Sequence, residues 1–239
     1  MLGVIVWDPV GRPQALVVRA DLHGMPLVRL EISGREGYFL TGRVRACLRQ
    51  MRRDRVRQCI WPEDLPDRWR GEFQPVPVWQ LRRALLPQLL TCAARQWGVD
   101  LSHGTVLVKA DYADASVRQA VSLLAGRCRY LRLDMGLGRE QLEADLRSRY
   151  GMAPAGTGWL LQVSFTGEAA PRTICLDRQV ATRQRVFYQR PAWWPETLPL
   201  REELLAALWQ AGKLQPEEIC VKSIGPVLDR GGETLYNAT

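Results

Sequence analysis

Residues 105–164 switch repeatedly between two hydrophobic periods, and this constrains the fold of the 239-residue chain more than any other feature. Thr105-Val106-Leu107-Val108-Lys109-Ala110, Tyr130-Leu131-Arg132-Leu133 and the run Trp159 to Ser164 are short and apolar, with the composition of strands. Between them the period becomes helical. Val117, Ala120, Val121 and Leu124 form one stripe behind Asp114, a residue type suited to an N-cap, and Leu142 and Leu146 share the inner face of a helix expected over Arg139 to Tyr150. Two strands can pair in parallel only if the chain between them travels back along the sheet, and a helix does this while covering an apolar face. The chain therefore reads as α/β, with a parallel, Rossmann-like βαβαβ sheet flanked by helices at its centre.

The N-terminal part reads as an antiparallel β-meander. Val4-Ile5-Val6-Trp7, Ala15-Leu16-Val17-Val18 and Leu27 to Ile32 are separated by turns at Gly11-Arg12-Pro13 and Asp21 to Gly24. In the third run Val28, Leu30 and Ile32 point to one side. A helix is expected from about Arg43 to Arg53, with Val44, Cys47, Leu48 and Met51 on its apolar face. The expected organisation is residues 1–61 as meander and basic helix, 62–78 as a Pro/Trp-rich connector and 79–190 as the α/β core. Residues 191–239 supply a last helix and strand packed on that core. Leu81 to Trp97 is apolar nearly all round and is expected to be helical, kinked or restarted at Pro87.

Charge is unevenly placed. The net charge is +8, and Arg35 to Arg95 holds thirteen Arg against six acidic residues, a surplus of seven. Arg45, Arg49, Arg52 and Arg53 fall on the far side of the expected helix, where guanidinium groups could contact phosphates. An Arg-rich proteome with a solvated helix face would produce the same pattern. No helix-turn-helix, RRM, KH or zinc-finger signature accompanies it. The six cysteines are at least 12 residues apart with no C-x-x-C, which argues against structural zinc and fits a reducing cytoplasm. The start, Met1 to Asp8, lacks the basic region of a signal peptide, and the longest strongly apolar stretch is too short for a bilayer, so no membrane association is expected.

Other constellations bear on chemistry. Asp8, Asp111 and Asp134 close three expected strands, and ligands of open α/β sheets bind beyond strand carboxyl ends. Convergent carboxylates there could hold Mg²⁺ in the manner of a metal-dependent nuclease. The order of a meander followed by helices and parallel strands is similar to RNase H-like architecture, although Asp8-Pro9-Val10-Gly11 makes no phosphate loop. Gly136-Leu137-Gly138 reads as a tight strand-to-helix turn, or as a small-molecule site. Trp193-Trp194 between prolines reads as an interface, or as packing between a sheet and the next helix. His23 and His103 read as loop residues, and no P-loop or nucleophile elbow is present. The primary expectation is a protein-binding or assembly component with no cofactor. The alternative is a nucleic-acid-binding protein that uses the Arg45–Arg53 face. The strand assignment is testable: Val108→Asp would place an unpaired charge in a buried strand, so the variant should fail to show a cooperative thermal melt.

Overall fold

The computed structural model describes residues 1–152, 158–166, 170–177, 184–196 and 198–227; the expected polar tail lies outside them. The protein is α/β. It divides into two compact units, Met1–Pro77 with Glu203–Gln215, and Val78–Glu202 with Pro216–Thr239.

The first unit is built on strands β1 (Leu2–Asp8), β2 (Gln14–Leu22) and β3 (Met25–Ser33), helix α1 (Tyr38–Arg53), strand β4 (Gln58–Ile60), the single turn α2 (Asp67–Arg70) and strand β5 (Gln74–Pro75). The sheet order is β2-β3-β1-β4-β5. β2 and β3 form the expected antiparallel pair. Their two-residue turn places His23 and Gly24 at positive φ, and Asp21 Oδ1 accepts from the Gly24 N–H at 2.8 Å. β1 corrects the meander. It runs parallel to β3 (Leu2↔Leu27 through Asp8↔Ser33) and parallel to β4. The cause is visible in the residues. Leu2-Gly3-Val4-Ile5 is buried without alternation, which demands a central strand covered on both faces, whereas β2 is largely exposed and suits an edge. The similarity in order to an RNase H-like sheet, which relied on the meander, falls with it.

α1 is longer than expected, beginning at Tyr38 rather than Arg43. Its Leu40, Val44, Leu48 and Met51 join Ile5, Val28, Leu30 and Ile32 in one core. Gly3 permits the close approach, because a Cβ there would stand 2.7 Å from Met51 Cε and 2.9 Å from Cys59 Sγ. The Pro/Trp-rich stretch expected as a connector contributes Leu65, Trp69 and Phe73 to this core, with the Trp69 ring edge-on to Trp7 at 5.8 Å.

The second unit contains α3 (Val78–Ala84), α4 (Leu86–Trp97), β6 (Thr105–Tyr112), α5 (Ala115–Ala125), β7 (Tyr130–Leu137), α6 (Arg139–Tyr150), β8 (Leu161–Ser164), β9 (Thr173–Cys175) and β10 (Gln184–Tyr188). Beyond them lie α7 (Glu202–Gln210), whose first residue alone belongs to this unit, and β11 (Val221–Val227). Residues 203–215 group with the first unit, not with the 79–190 core on which the C-terminal helix was expected to pack. The expected helix around Pro87 is two helices broken at Leu85, with Pro87 in the first turn of the second, where its missing N–H costs nothing. The main sheet, β7-β6-β8-β9, is parallel throughout. Asp114 caps α5 by accepting from the Val117 N–H at 2.7 Å, and the stripe read from the sequence is buried. Val108 is 0% exposed. β10 and β11 form a separate antiparallel pair.

A buried ion pair joins α3 to the head of α7. Arg82, 1% exposed, donates from Nε and Nη2 to the two carboxylate oxygens of Glu202 at 2.7 and 2.6 Å, and Nη2 also donates to the Gln184 carbonyl. The Tyr188 hydroxyl donates to Glu202 Oε1 at 2.6 Å. Burial acts to lower the Arg82 pKa, but the hydrogen bonds and charge of Glu202 outweigh it and hold the guanidinium above its ordinary value. Removing one partner strands the other charge in the interior. Glu202→Gln is therefore expected to cost about 3–5 kcal/mol in a denaturant melt, with Arg82→Met/Glu202→Leu recovering most of it.

Candidate functional site

α1 is amphipathic in a way that leaves a built surface on its outer side. At about 100° per residue the buried stripe of Leu40, Val44, Leu48 and Met51 lies opposite Tyr38, Gly42, Arg49 and Arg53. Tyr38, Arg45, Arg49 and Arg52 recur at i, i+7, i+11 and i+14 and form one stripe about 21 Å long. The four arginines named from the sequence are all exposed. Arg52 pairs with Glu72 at 3.3 Å, while Arg45, Arg49 and Arg53 have no ion-pair partner among the described residues. Elsewhere in the unit arginines do find acids: Arg19 with Asp54, Arg29 with Glu31, Arg68 with Glu36, Arg70 with Asp67. On the outer face of α1, three unpaired guanidinium groups recur along one helix.

The sequence reading missed the aromatic part of this surface. Tyr38 is 90% and Phe39 85% exposed, with their rings edge-on at 5.9 Å. Both open the helix, and extending the helical period back from Val44 would have placed them off the buried stripe. Beside them Gly42 and Ala46 leave a groove of about 820 Å³, bordered by Tyr38, Phe39, Arg43, Arg45 and Arg68. A Cβ at Gly42 would meet nothing within 4 Å, so no packing requires a glycine there.

The strand-end acids belong to two different sheets. Asp8 ends β1 in the first unit and accepts from the Val10 N–H at 3.0 Å. Asp111 and Asp134 lie on the paired strands β6 and β7 of the second, but Asp134 stands opposite Lys109 in the register, with its carboxylate 3.7 Å from the Lys109 ammonium. Among the described residues no group of three or more His, Cys, Asp or Glu is placed to hold a metal ion, and the expected Mg²⁺ centre has no ligand set there.

No protein-family model, curated protein or solved structure matches the chain. Geometry alone carries the functional reading.

The remaining candidates resolve into structure. Gly138, at φ 84°, ends the β7-to-α6 turn, where a Cβ would stand 2.9 Å from the Ala113 Cβ; Gly136 approaches the Asp111 carbonyl in the same way. Close strand packing explains both glycines. Trp194 is 4% exposed and donates from Nε1 to the Leu198 carbonyl at 2.9 Å, which corrects its reading as an interface anchor; Trp193 is half-buried against it. His103 lies in an exposed loop with Asp100 Oδ2 and Ser102 Oγ both 2.8 Å from Nδ1. At the carboxyl end of β8, where the strand order reverses, Arg83 lies 4.5 Å from the Trp79 ring and 5.1 Å from the Phe165 ring, and burial pulls its pKa below the ordinary value. No helix of the described residues is long and apolar enough to cross a membrane.

An exposed mid-helix glycine with room for a methyl group is a liability to stability. Gly42→Ala is expected to raise the unfolding free energy by about 0.5–1 kcal/mol, read from the denaturant midpoint at unchanged slope.

Proposed function

We propose that the protein binds single-stranded nucleic acid through the outer face of α1. The observation that carries this reading is the pairing of two nearly fully exposed aromatic rings with a line of unpaired guanidinium groups on the same helix. Exposed rings offer a stacking surface to unpaired bases, and a cationic track beside them follows the phosphates; together they give affinity with little sequence preference. A duplex keeps its bases stacked and has no use for the rings, which favours single strands. The open groove at Gly42 gives a base room to lie against Tyr38.

A protein partner or a second copy of the chain is the other reading. It draws on the same ring pair, because Tyr and Arg are enriched at the energetic centres of interfaces. The two readings separate by salt dependence and by partner. In fluorescence anisotropy with a labelled single-stranded oligonucleotide, affinity should fall linearly with log salt, and Arg45→Gln and Arg49→Gln should each reduce the slope by about 0.7. Tyr38→Ala should cost about 1–3 kcal/mol, and a duplex of the same sequence should bind less tightly. Gly42→Leu should fill the groove and weaken binding while the protein stays folded. A slope insensitive to both arginines sinks the proposal. Concentration-dependent sedimentation lost in Tyr38→Ala, with no oligonucleotide binding, would transfer the surface to self-association.

A further inference from the structure

The register between α4 and the segment leading through β11 brings two cysteines to one cleft. Gln88 Nε2 donates to the Pro216 carbonyl at 2.7 Å. Eight residues later Gln96 Nε2 donates to the Ile224 carbonyl at 2.8 Å, and Gln96 Oε1 accepts from the Ile224 N–H at 2.9 Å. Both clamps hold α4 to this segment, one at the turn before β11 and one on β11 itself, at the same sequence offset of 128. Cys92 lies midway between the two glutamines, about one turn from each on the same face of α4. Cys220 lies midway between Pro216 and Ile224. The two side chains line a single cleft of about 420 Å³.

The same cleft is cationic. Arg95, Arg127 and Lys222 line it, and none has an ion-pair partner among the described residues. The other thiols of this unit are unsuited to reaction: burial pushes Cys128 up to about 11 and Cys175 to about 12. In the first unit burial pushes Cys59 to about 12 and raises Cys47 as well. Cys220 is exposed; Cys92 is half-buried in the same cleft and burial raises its pKa too, which leaves Cys220 as the first nucleophile.

We propose that Cys92 and Cys220 form a dithiol site whose oxidising co-substrate is an anionic low-molecular-weight disulfide. The exposed Cys220 attacks first, as its thiolate. A bond forms between its sulfur and one sulfur of the small disulfide, and the other leaves as a thiolate that takes up the proton Cys220 released. Cys92 then attacks the Cys220 sulfur. The second small thiolate leaves, takes up the Cys92 proton, and the protein is left with an intramolecular disulfide. Two protein thiols are oxidised and one small disulfide is reduced to two thiols. The product would tie α4 covalently to the residue that leads into β11, midway between the two glutamine clamps. The three cations favour a carboxylate-bearing disulfide over a neutral one.

Oxidised glutathione serves as the anionic probe and hydroxyethyl disulfide as the neutral one, with the full chain digested without reduction and the peptides weighed. The expected product in the unaltered protein is a Cys92–Cys220 linked peptide pair that dithiothreitol cleaves. Cys92→Ser should stop at a glutathione adduct on Cys220, and Cys220→Ser should give little adduct at Cys92. Arg127→Gln/Lys222→Gln should slow reaction with oxidised glutathione by about tenfold and leave the hydroxyethyl disulfide rate unchanged. Both charge positions are exposed, so these variants test the cleft without disturbing the core. A persistent adduct on Cys220 with no link to Cys92, a link to any other cysteine, or equal slowing with both probes overturns the proposal.

Discussion

Parallel strand pairing is the constraint from which the rest of this structure follows. A parallel neighbour can be reached only by a crossover that returns along the sheet, and both main sheets rely on such pairs. In the first unit the crossover from β3 to β4 is α1, which spans the central β1 and buries Leu40, Val44, Leu48 and Met51 on the way. In the second, α5 and α6 carry the chain to opposite sides of β6, so the strand order reverses between β7 and β8. A crossover helix has one face committed to the sheet and one face the fold does not use. On α1 that unused face is the one that carries Tyr38 and the unpaired arginines.

Energetically the two faces of α1 are of different kinds. The inner face removes branched and sulfur-containing side chains from water at roughly 25 cal/mol per Å², and Gly3 lets the helix lie close enough to gain it. The outer face gains nothing from folding. Phe39 and Tyr38 remain in water, Gly42 lowers the helical propensity of the middle turns, and three guanidinium groups repel one another. Features that weaken a helix and serve no packing role are the ones on which the proposed binding surface rests.

The second unit handles polarity differently. Its interior polar groups are tied into specific pairs: Arg82 on Glu202, and Gln184 between the Thr173 carbonyl and the Cys175 N–H. The glutamines of α4 do the same at its margin by holding β11 in register. Hydrogen bonds of this type contribute modestly to stability, but they fix which residues face one another, and that is how Cys92 and Cys220 come to share a cleft.

Local period was legible in the sequence wherever one face of an element is buried. The stripe Val117, Ala120, Val121, Leu124, the cap at Asp114, the break at Pro87 and the turn at Asp21–Gly24 all stand where the residues placed them. So does the exposure of Arg45, Arg49, Arg52 and Arg53, which follows from a 3.6-residue repeat alone. Pairing between distant strands is another matter. The direction of β1 depends on which neighbour buries its second face, and the assignment of Asp8 to one sheet and of Asp111 and Asp134 to the other depends on which strands pair. The aromatic pair at the head of α1 and the cysteines of the shared cleft belong with these. Sequence by itself determined the α/β class and the inward faces of α1, α5 and α6, because those are set by neighbours within a few residues. Only tertiary structure decided partners across 20 to 130 positions, because burial is a property of a surface in space and the chain carries no local record of what will cover it.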